Sequence, residues 1–271
     1  MSAPPPSDRI GGMALANGLL VHGPRHWAAA VRDEDGRVVV AAGHKWTVRV
    51  GPLERVPLAR GLARLGEAFA GIPAGRRGLP QGRSAREDRR RAIVAAGATV
   101  AAFILRRRTR SVLAQETIGA VLGLVPMLIT MRGSRAPVWH AVEHKSIAAY
   151  EAAGPAGIEH AAGQAKEHRR CGSNLVLPLM VSTIVGNTLA RRLPGRLPGV
   201  RMAISAISIG AAVEVFAFAS RRPAHPLARV VHGAGHAMQA GFVPPEPTAH
   251  ELLGGRGAMG APIDAGAGQR A

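Results

Sequence analysis

Between residues 132 and 174 the sequence gathers the side chains best suited to hold a metal ion. It reads Trp139-His140-Ala141-Val142-Glu143-His144-Lys145, then Tyr150-Glu151, His160, and His168-Arg169-Arg170-Cys171. On a helix, residues four apart stand one turn apart on one face, so His140 and His144 can grip a single ion. Glu143 falls on the same side. The order His-x-x-Glu-His is that of the inverted zincins, in which two histidines bind zinc and the glutamate activates its water. His168 and Cys171, spaced His-x-x-Cys, offer further ligands of the kind zinc prefers. The pattern predicts a divalent metal, zinc, held by His140, His144 and His168 or Cys171, with Glu143 as general base. Three fixed positions also arise by chance in a chain with 11 histidines. On the bland reading these side chains bond one another and cap helices, and Cys171 is a small buried hydrophobe.

Other candidates are weaker. Glu214 lies in an apolar run, where a carboxylate is costly unless it faces protein or water. It serves either transport or a helix–helix hydrogen bond to Ser205-type partners. Glu151 stands beside the main motif as a further candidate. His232 and His236 are four apart, but Gly233 and Gly235 make a poor helical turn between them. The glycines at 11–12 and 254–255 match no phosphate-loop spacing, and no Gly-x-Ser-x-Gly elbow occurs. Cys171, with no clear base partner in the sequence, argues only weakly for a thiol enzyme. As the sole cysteine it excludes an internal disulfide.

The elements that must position these groups follow from where apolar residues fall. The chain has 271 residues, 47% of them hydrophobic and only 3% aromatic. The hydrophobic share is ordinary; its concentration between 92 and 219 is not. A net charge of +18, nearly all arginine, suits nucleic acid or an anionic membrane surface. The arginines punctuate apolar runs: Arg89, Arg90 and Arg91 before one, Arg106, Arg107 and Arg108 after it, Arg191 and Arg192 after another, Arg221 and Arg222 after the last. That is the pattern of loops between membrane helices, so lipids and not nucleic acid are the expected partner. The four runs are 92–105, 112–131, 175–190 and 202–219. The first, about 21 Å long as a helix, is short of the roughly 30 Å hydrocarbon core. Lysine and arginine are denser beside the N-terminal region, the segment 132–174 and the C-terminal tail than in the two opposite loops. This places the termini and that segment in the cytoplasm. A soluble bundle with buried helices is the alternative.

Ahead of the runs, residues 1–10 read as a disordered, Pro-rich leader, with no cleavable signal peptide. Residues 11–75 read as a hairpin-and-helix portion, with Asp35-Gly36 as the hairpin turn and Val56, Leu58, Leu62, Leu65 and Phe69 as one helical face. Residues 76–91 form a basic linker. The first two apolar helices occupy 92–131, a cytoplasmic loop with the metal motif 132–174, and the last two apolar helices 175–222. A membrane-proximal segment, 223–242, and a Pro- and Gly-rich disordered tail, 243–271, complete the chain.

Several motifs resemble those of the YqhQ-like bacterial membrane proteins, a family of unknown function. They are Gly11-Gly12-Met13-Ala14, His22-Gly23-Pro24-Arg25, Ala28-Ala29-Ala30-Val31-Arg32, His140 to Lys145 with Tyr150-Glu151, and His168-Arg169-Arg170-Cys171-Gly172. Glu214 resembles the family's Tyr-Glu position. The likeness runs in order through most of residues 11–245. It implies an integral membrane protein of a family labelled metal-dependent enzymes, with no established reaction. Asn17 stands where the family usually has Glu, and Leu20-Val21-His22 where it has Met-Met-Arg. If that Glu serves the site, this chain is altered there.

The expectation is therefore a mainly α, polytopic inner-membrane protein with about four spans. Its leading function is a zinc-dependent, hydrolase-type site at the cytoplasmic membrane face. A scaffold with a closed structural metal site and a small transporter using Glu214 are the alternatives, and self-association is left open.

Overall fold

The computed structural model describes residues 10–23, 25–44, 55–63, 65–66, 78–79, 82, 89–131, 134–192, 198–241 and 246–267. Four strands, β1 (Gly11–Ala14), β2 (Gly18–His22), β3 (His26–Arg32) and β4 (Val38–His44), form an antiparallel meander in that order. The β3–β4 turn is the one read from Asp35-Gly36. Gly36 has a φ of 81°, and the Arg37 N–H donates to Asp33 Oδ1 at 2.7 Å. The β1–β2 hairpin was not expected, because its first strand is only four residues long and half glycine. Side chains alternate across the sheet. Leu19, Val21, Ala28 and Ala30 face one way, while Leu20, Trp27, Ala29 and Val31 face the other with Leu79.

Beyond a short helical stretch at 59–63, seven long helices follow among the described residues: α1 (Arg89–Arg108), α2 (Val112–Met131), α3 (Ala136–Ala153), α4 (Ser173–Ala190), α5 (Pro198–Arg221), α6 (Pro226–Gly241) and α7 (Ala249–Ala267). A run of 3-10 turns, Gly154–Gly163, joins α3 to the Cys171 segment. Helix α3 and helix α7 cover the first face of the sheet: Trp139, Val142 and Ile147 pack with Leu252, Ala258 and Met259 onto Leu19, Val21, Ala28 and Ala30. Two expectations change here. Segment 132–174 is not a loop but the core of a folded unit, because Trp139, Val142, Ser146 and Ala149 recur at helical spacing and all are buried. Segment 243–271, expected to be disordered, contains α7. Its start is a capping box: the Glu251 N–H donates to Thr248 Oγ1 at 3.3 Å and the Thr248 N–H to Glu251 Oε2 at 2.8 Å. Arg135 also pairs with Glu251. The signal, Thr248-x-x-Glu251 before Leu252, was present in the sequence but masked by composition.

All four apolar runs become helices, and α1 packs on α2 as α4 does on α5. Three windows, 112–129, Ser173–Ala190 and Met202–Arg221, are long and apolar enough to cross a membrane. Helix α1 differs because arginine triplets bound its apolar centre. Only 6%, 11% and 22% of the three windows is buried, so their apolar side chains point outward. Of the helix expected over 53–72, residues 59–63 are helical, and Arg60 grips Glu214 with two bonds of 2.6 and 2.5 Å. Residues 65–66 are helical too, but 55–58, which carry Val56 and Leu58 of the expected face, form turns in which Leu58 takes a φ of 72°. Residues 53–54, 64 and 67–72 of that helix, residues 1–9 of the leader and most of the basic linker lie outside the described residues.

The α3–α7 crossing is close because α7 presents glycine. A Cβ at Gly255 would stand 2.2 Å from Ser146 Oγ and 2.9 Å from Val142 Cγ1, whereas one at Gly260 would meet nothing within 4 Å. The two positions should respond with opposite sign. Gly255→Ala is expected to destabilise by about 1–3 kcal/mol through overpacking. Gly260→Ala should be neutral or stabilise by up to about 1 kcal/mol through helix propensity. Unfolding midpoints of the two variants check this.

Candidate metal centre

Helix α3 begins with Pro137 in its first turn, which suits proline. Its apolar positions fix its roll on the sheet, and that roll sends His140, Glu143 and His144 toward the junction of β1 with the ends of α2 and α4. Cys171 arrives from the other side, two residues before α4. Asn174, in the first turn of α4, clamps the approach: its Nδ2 donates to the carbonyls of His168, Arg169 and Cys171 at 3.3, 3.0 and 3.3 Å. Arg170 pairs with Glu151, and Lys145 Nζ donates to the carbonyls of Ala162 and Gln164 at 2.9 and 2.6 Å. The 154–171 segment is thereby tied to α3.

The result brings ligand atoms of His140, His144 and Cys171 within 4.8 Å of one another. The back of each imidazole is held by an oxygen. His140 Nδ1 donates to Glu143 Oε2 at 3.1 Å, and His144 Nδ1 donates to the Lys166 carbonyl. This leaves Nε2 of both rings for the front. His140 Nε2 lies 3.2 Å from Cys171 Sγ, while His144 Nε2 is buried without a hydrogen-bond partner. A buried ring nitrogen left unsatisfied is costly and needs an explanation. A cation in contact with it supplies one, and two imidazoles with a thiolate are a donor set that suits zinc.

His168 is not part of this trio. Its Nε2 faces Glu151 Oε2 at 3.4 Å and its Nδ1 accepts from the Arg170 N–H at 3.3 Å. Glu151 serves Arg170 and His168 and does not join the trio. Glu214 is held by Arg60, and Asn17 donates to the Arg32 carbonyl at 2.9 Å in the sheet. His232 Nε2 meets the Ala219 carbonyl at 3.2 Å. Gly12 and Asn174 were missed. A Cβ on Gly12 would stand 2.8 Å from Glu143 Oε1, so glycine there gives Glu143 its room. Only the glycine pair hinted at this, and nothing in the sequence pointed to Asn174.

Charge is concentrated in the trio. Burial pushes the His140 imidazolium down, but the Cys171 sulfur and Glu143 outweigh burial and raise it to about 10. Burial likewise pushes the Cys171 thiol up, yet His140 and His144 bring it down to about 5. Burial raises Glu143, and the His140 bond and charge reverse that and leave it below the ordinary carboxylate range. Burial dominates at His168 and keeps its pKa lowered. Cys171 Sγ also receives the Ser173 N–H at 3.4 Å from the start of α4, where the helix dipole favours negative charge. Beside the trio lies a cavity of about 290 Å³, walled by Met13, Met127, Met131, Val176 and Met238.

Residues 120–254 match a family of proteins of unknown function, DUF1385. The chain is also similar to the uncharacterized protein YqhQ of Bacillus subtilis (strain 168), 24% identical over a stretch covering 62% of this chain and 64% of that relative. The chain thus spans less than two thirds of its relative's length. No solved structure matches it. The YqhQ-like resemblance read from the motifs stands, and the matched region contains His140, His144 and Cys171.

Thiolate character in Cys171 depends on the imidazoles facing it. Thiolate absorbance of the chelator-treated protein should therefore titrate near pH 5. In His140→Ala the midpoint should move up toward the ordinary thiol value of 9.0. An unchanged midpoint in that variant would remove the pairing.

Proposed function

We propose that the chain is a multi-pass inner-membrane protein with a zinc-dependent, hydrolase-type centre at the cytoplasmic membrane face. The observation that carries the reading is the pair of histidines whose Nδ1 atoms are pinned by oxygens while both Nε2 atoms remain beside Cys171 Sγ. This is how ligating histidines are held in metal sites. With His168 engaged by Glu151, the shell has three protein ligands and a position open to the cavity, which favours catalysis over a structural role. A bound cation supplies an electrophile and an acidic water there. Glu143 is bonded to His140, so its best-supported role is to fix that ring's tautomer and direction. Glu214 is paired with Arg60, which supports a structural role for it over transport.

Chain parity supports the four-span form of this reading. The sheet packs against α3 and α7, so all three lie on one side of the bilayer. The chain must then cross an even number of times between β4 and α3. Helix α2 crosses, so α1 crosses with it. Its apolar centre is short, but arginines at both ends can snorkel, and Ile93, Val94, Phe103 and Leu105 face outward. The same parity pairs α4 with α5. Reporter fusions near residues 75, 150 and 245 should all report cytoplasm, and those near 108 and 196 the opposite face. A split result among the first three removes the topology.

One observation favours a second reading. Cys171, His140 and Glu143 line up as thiol, base and orienting carboxylate at a helix start, the arrangement of a thiol nucleophile. It leaves the buried His144 Nε2 without a hydrogen-bond partner, which is why the metal reading is preferred. Purified protein should carry about one zinc per chain, lost in His144→Ala and in Cys171→Ala. Metal-free protein with rapidly alkylated Cys171 would favour the thiol reading. Glu143→Gln should keep the fold and weaken zinc affinity by about 10–100-fold, as loss of a ligand-orienting partner does. Full zinc affinity with lost complementation of a deletion strain would instead restore Glu143 as general base.

A further inference from the structure

The cavity beside the trio has one wall that is not side chain. Gly12, Met13 and Ala14 all line it. Side chains alternate along a strand, so three successive residues share a cavity when it runs along the strand's edge. Among the described residues, strand β1 is such an edge, paired with β2 alone. Its register shows which backbone groups face outward. The Leu15 N–H donates to the Gly18 carbonyl at 2.8 Å, which makes that a hydrogen-bonded pair. Counting back by two, Met13 with Leu20 and Gly11 with His22 are the next bonded pairs. Gly12 and Ala14 therefore turn their N–H and C=O groups away from β2 and toward the cavity. Among the described residues, none bonds to them.

We propose that the substrate is a peptide, bound extended as a fifth strand along β1. This rests on the metal-hydrolase reading and goes beyond it by naming the bond cleaved. The peptide backbone pairs with Gly12 and Ala14, as in recognition by strand addition. An apolar side chain enters the cavity between Met13, Met127, Met131 and Met238. Methionine walls adapt to differing apolar shapes. The strand edge then sets an amide before His140, His144 and Cys171. Hydrolysis joins the water oxygen to the carbonyl carbon as the C–N bond breaks. Both water protons end on the leaving amine, which departs as an ammonium beside a new carboxylate. Because the mouth of the cavity lies at the ends of α2 and α4, the fitting peptides are apolar segments near the membrane surface.

The test uses the zinc-loaded full chain and four probes: acetohydroxamic acid, trileucine hydroxamate, its N-methylated amide series, and decanoyl hydroxamate. Trileucine hydroxamate should bind more tightly than decanoyl hydroxamate. N-methylation at one alternating set of amides should weaken it about tenfold, the effect of a lost hydrogen bond. Ala14→Pro should weaken it similarly while leaving acetohydroxamic acid unchanged. Proline is tolerated on an edge strand where the N–H faces away from the partner strand. Decanoyl hydroxamate binding as tightly as the peptide, or N-methylation without effect, overturns the peptide assignment. If acetohydroxamic acid itself fails to bind, the metal reading is what has failed. The N-methyl series on the unaltered protein decides the matter even if Ala14→Pro does not fold.

Discussion

Two oxygen atoms behind two imidazoles organise the centre. Glu143 Oε2 and the Lys166 carbonyl each take an Nδ1 hydrogen, and so determine that both rings present Nε2 to the same point. Everything else in the site can be traced to keeping those two oxygens in place. Glu143 is buried in space that Gly12 leaves open. The Lys166 carbonyl sits on a segment held by Lys145, Arg170 and Asn174. Helix α3, which carries both rings, is held by the sheet on its apolar side. The cost of sequestering charge here is offset within the cluster, since imidazole, thiolate and carboxylate each shift in favour of the others.

Much of this was legible from residue types, and the unread part has identifiable reasons. The spacing of His140, Glu143 and His144 gave their shared face because helical geometry is local. The choice between His168 and Cys171 was open in sequence, because it depends on where a connecting segment turns. In the structure Glu151 and Arg170 engage His168 and leave Cys171 facing the rings. The contact that Glu143 makes, a bond to a ring three residues back, is one that a motif cannot distinguish from a bond to water. Helix α7 was missed because its glycines read as disorder, although they are the residues that let it lie close on α3. The apolar runs were visible because their signal is summed over about twenty residues.

The apolar helices and the sheet unit meet at a seam, and the candidate centre lies in it. Ligands come from α3 and from the approach to α4, walls from α2, α4 and α6, and an edge from β1. A site at such a seam gains apolar walls from helix ends and polar anchoring from the folded unit. Gln239 on α6 shows the join at atomic scale: it accepts the His168 N–H at 3.0 Å and donates to Ser173 Oγ at 2.8 Å.

The last helix closes over the first strands. Leu252, Ala258 and Met259 complete the packing around Leu19, Val21, Ala28 and Ala30, so elements from opposite ends of the chain share one core. During synthesis the sheet emerges first and its covering helix last, with every apolar helix made in between. The part of its face that α7 covers must remain open through that interval, exposed to mispairing and to capture by chaperones. Contacts this distant in sequence also slow the final step of folding. Completion of this core thus waits for α7, and a ribosome that stalls before it leaves a chain in which His140, His144 and Cys171 are all present but the supporting sheet is only half enclosed.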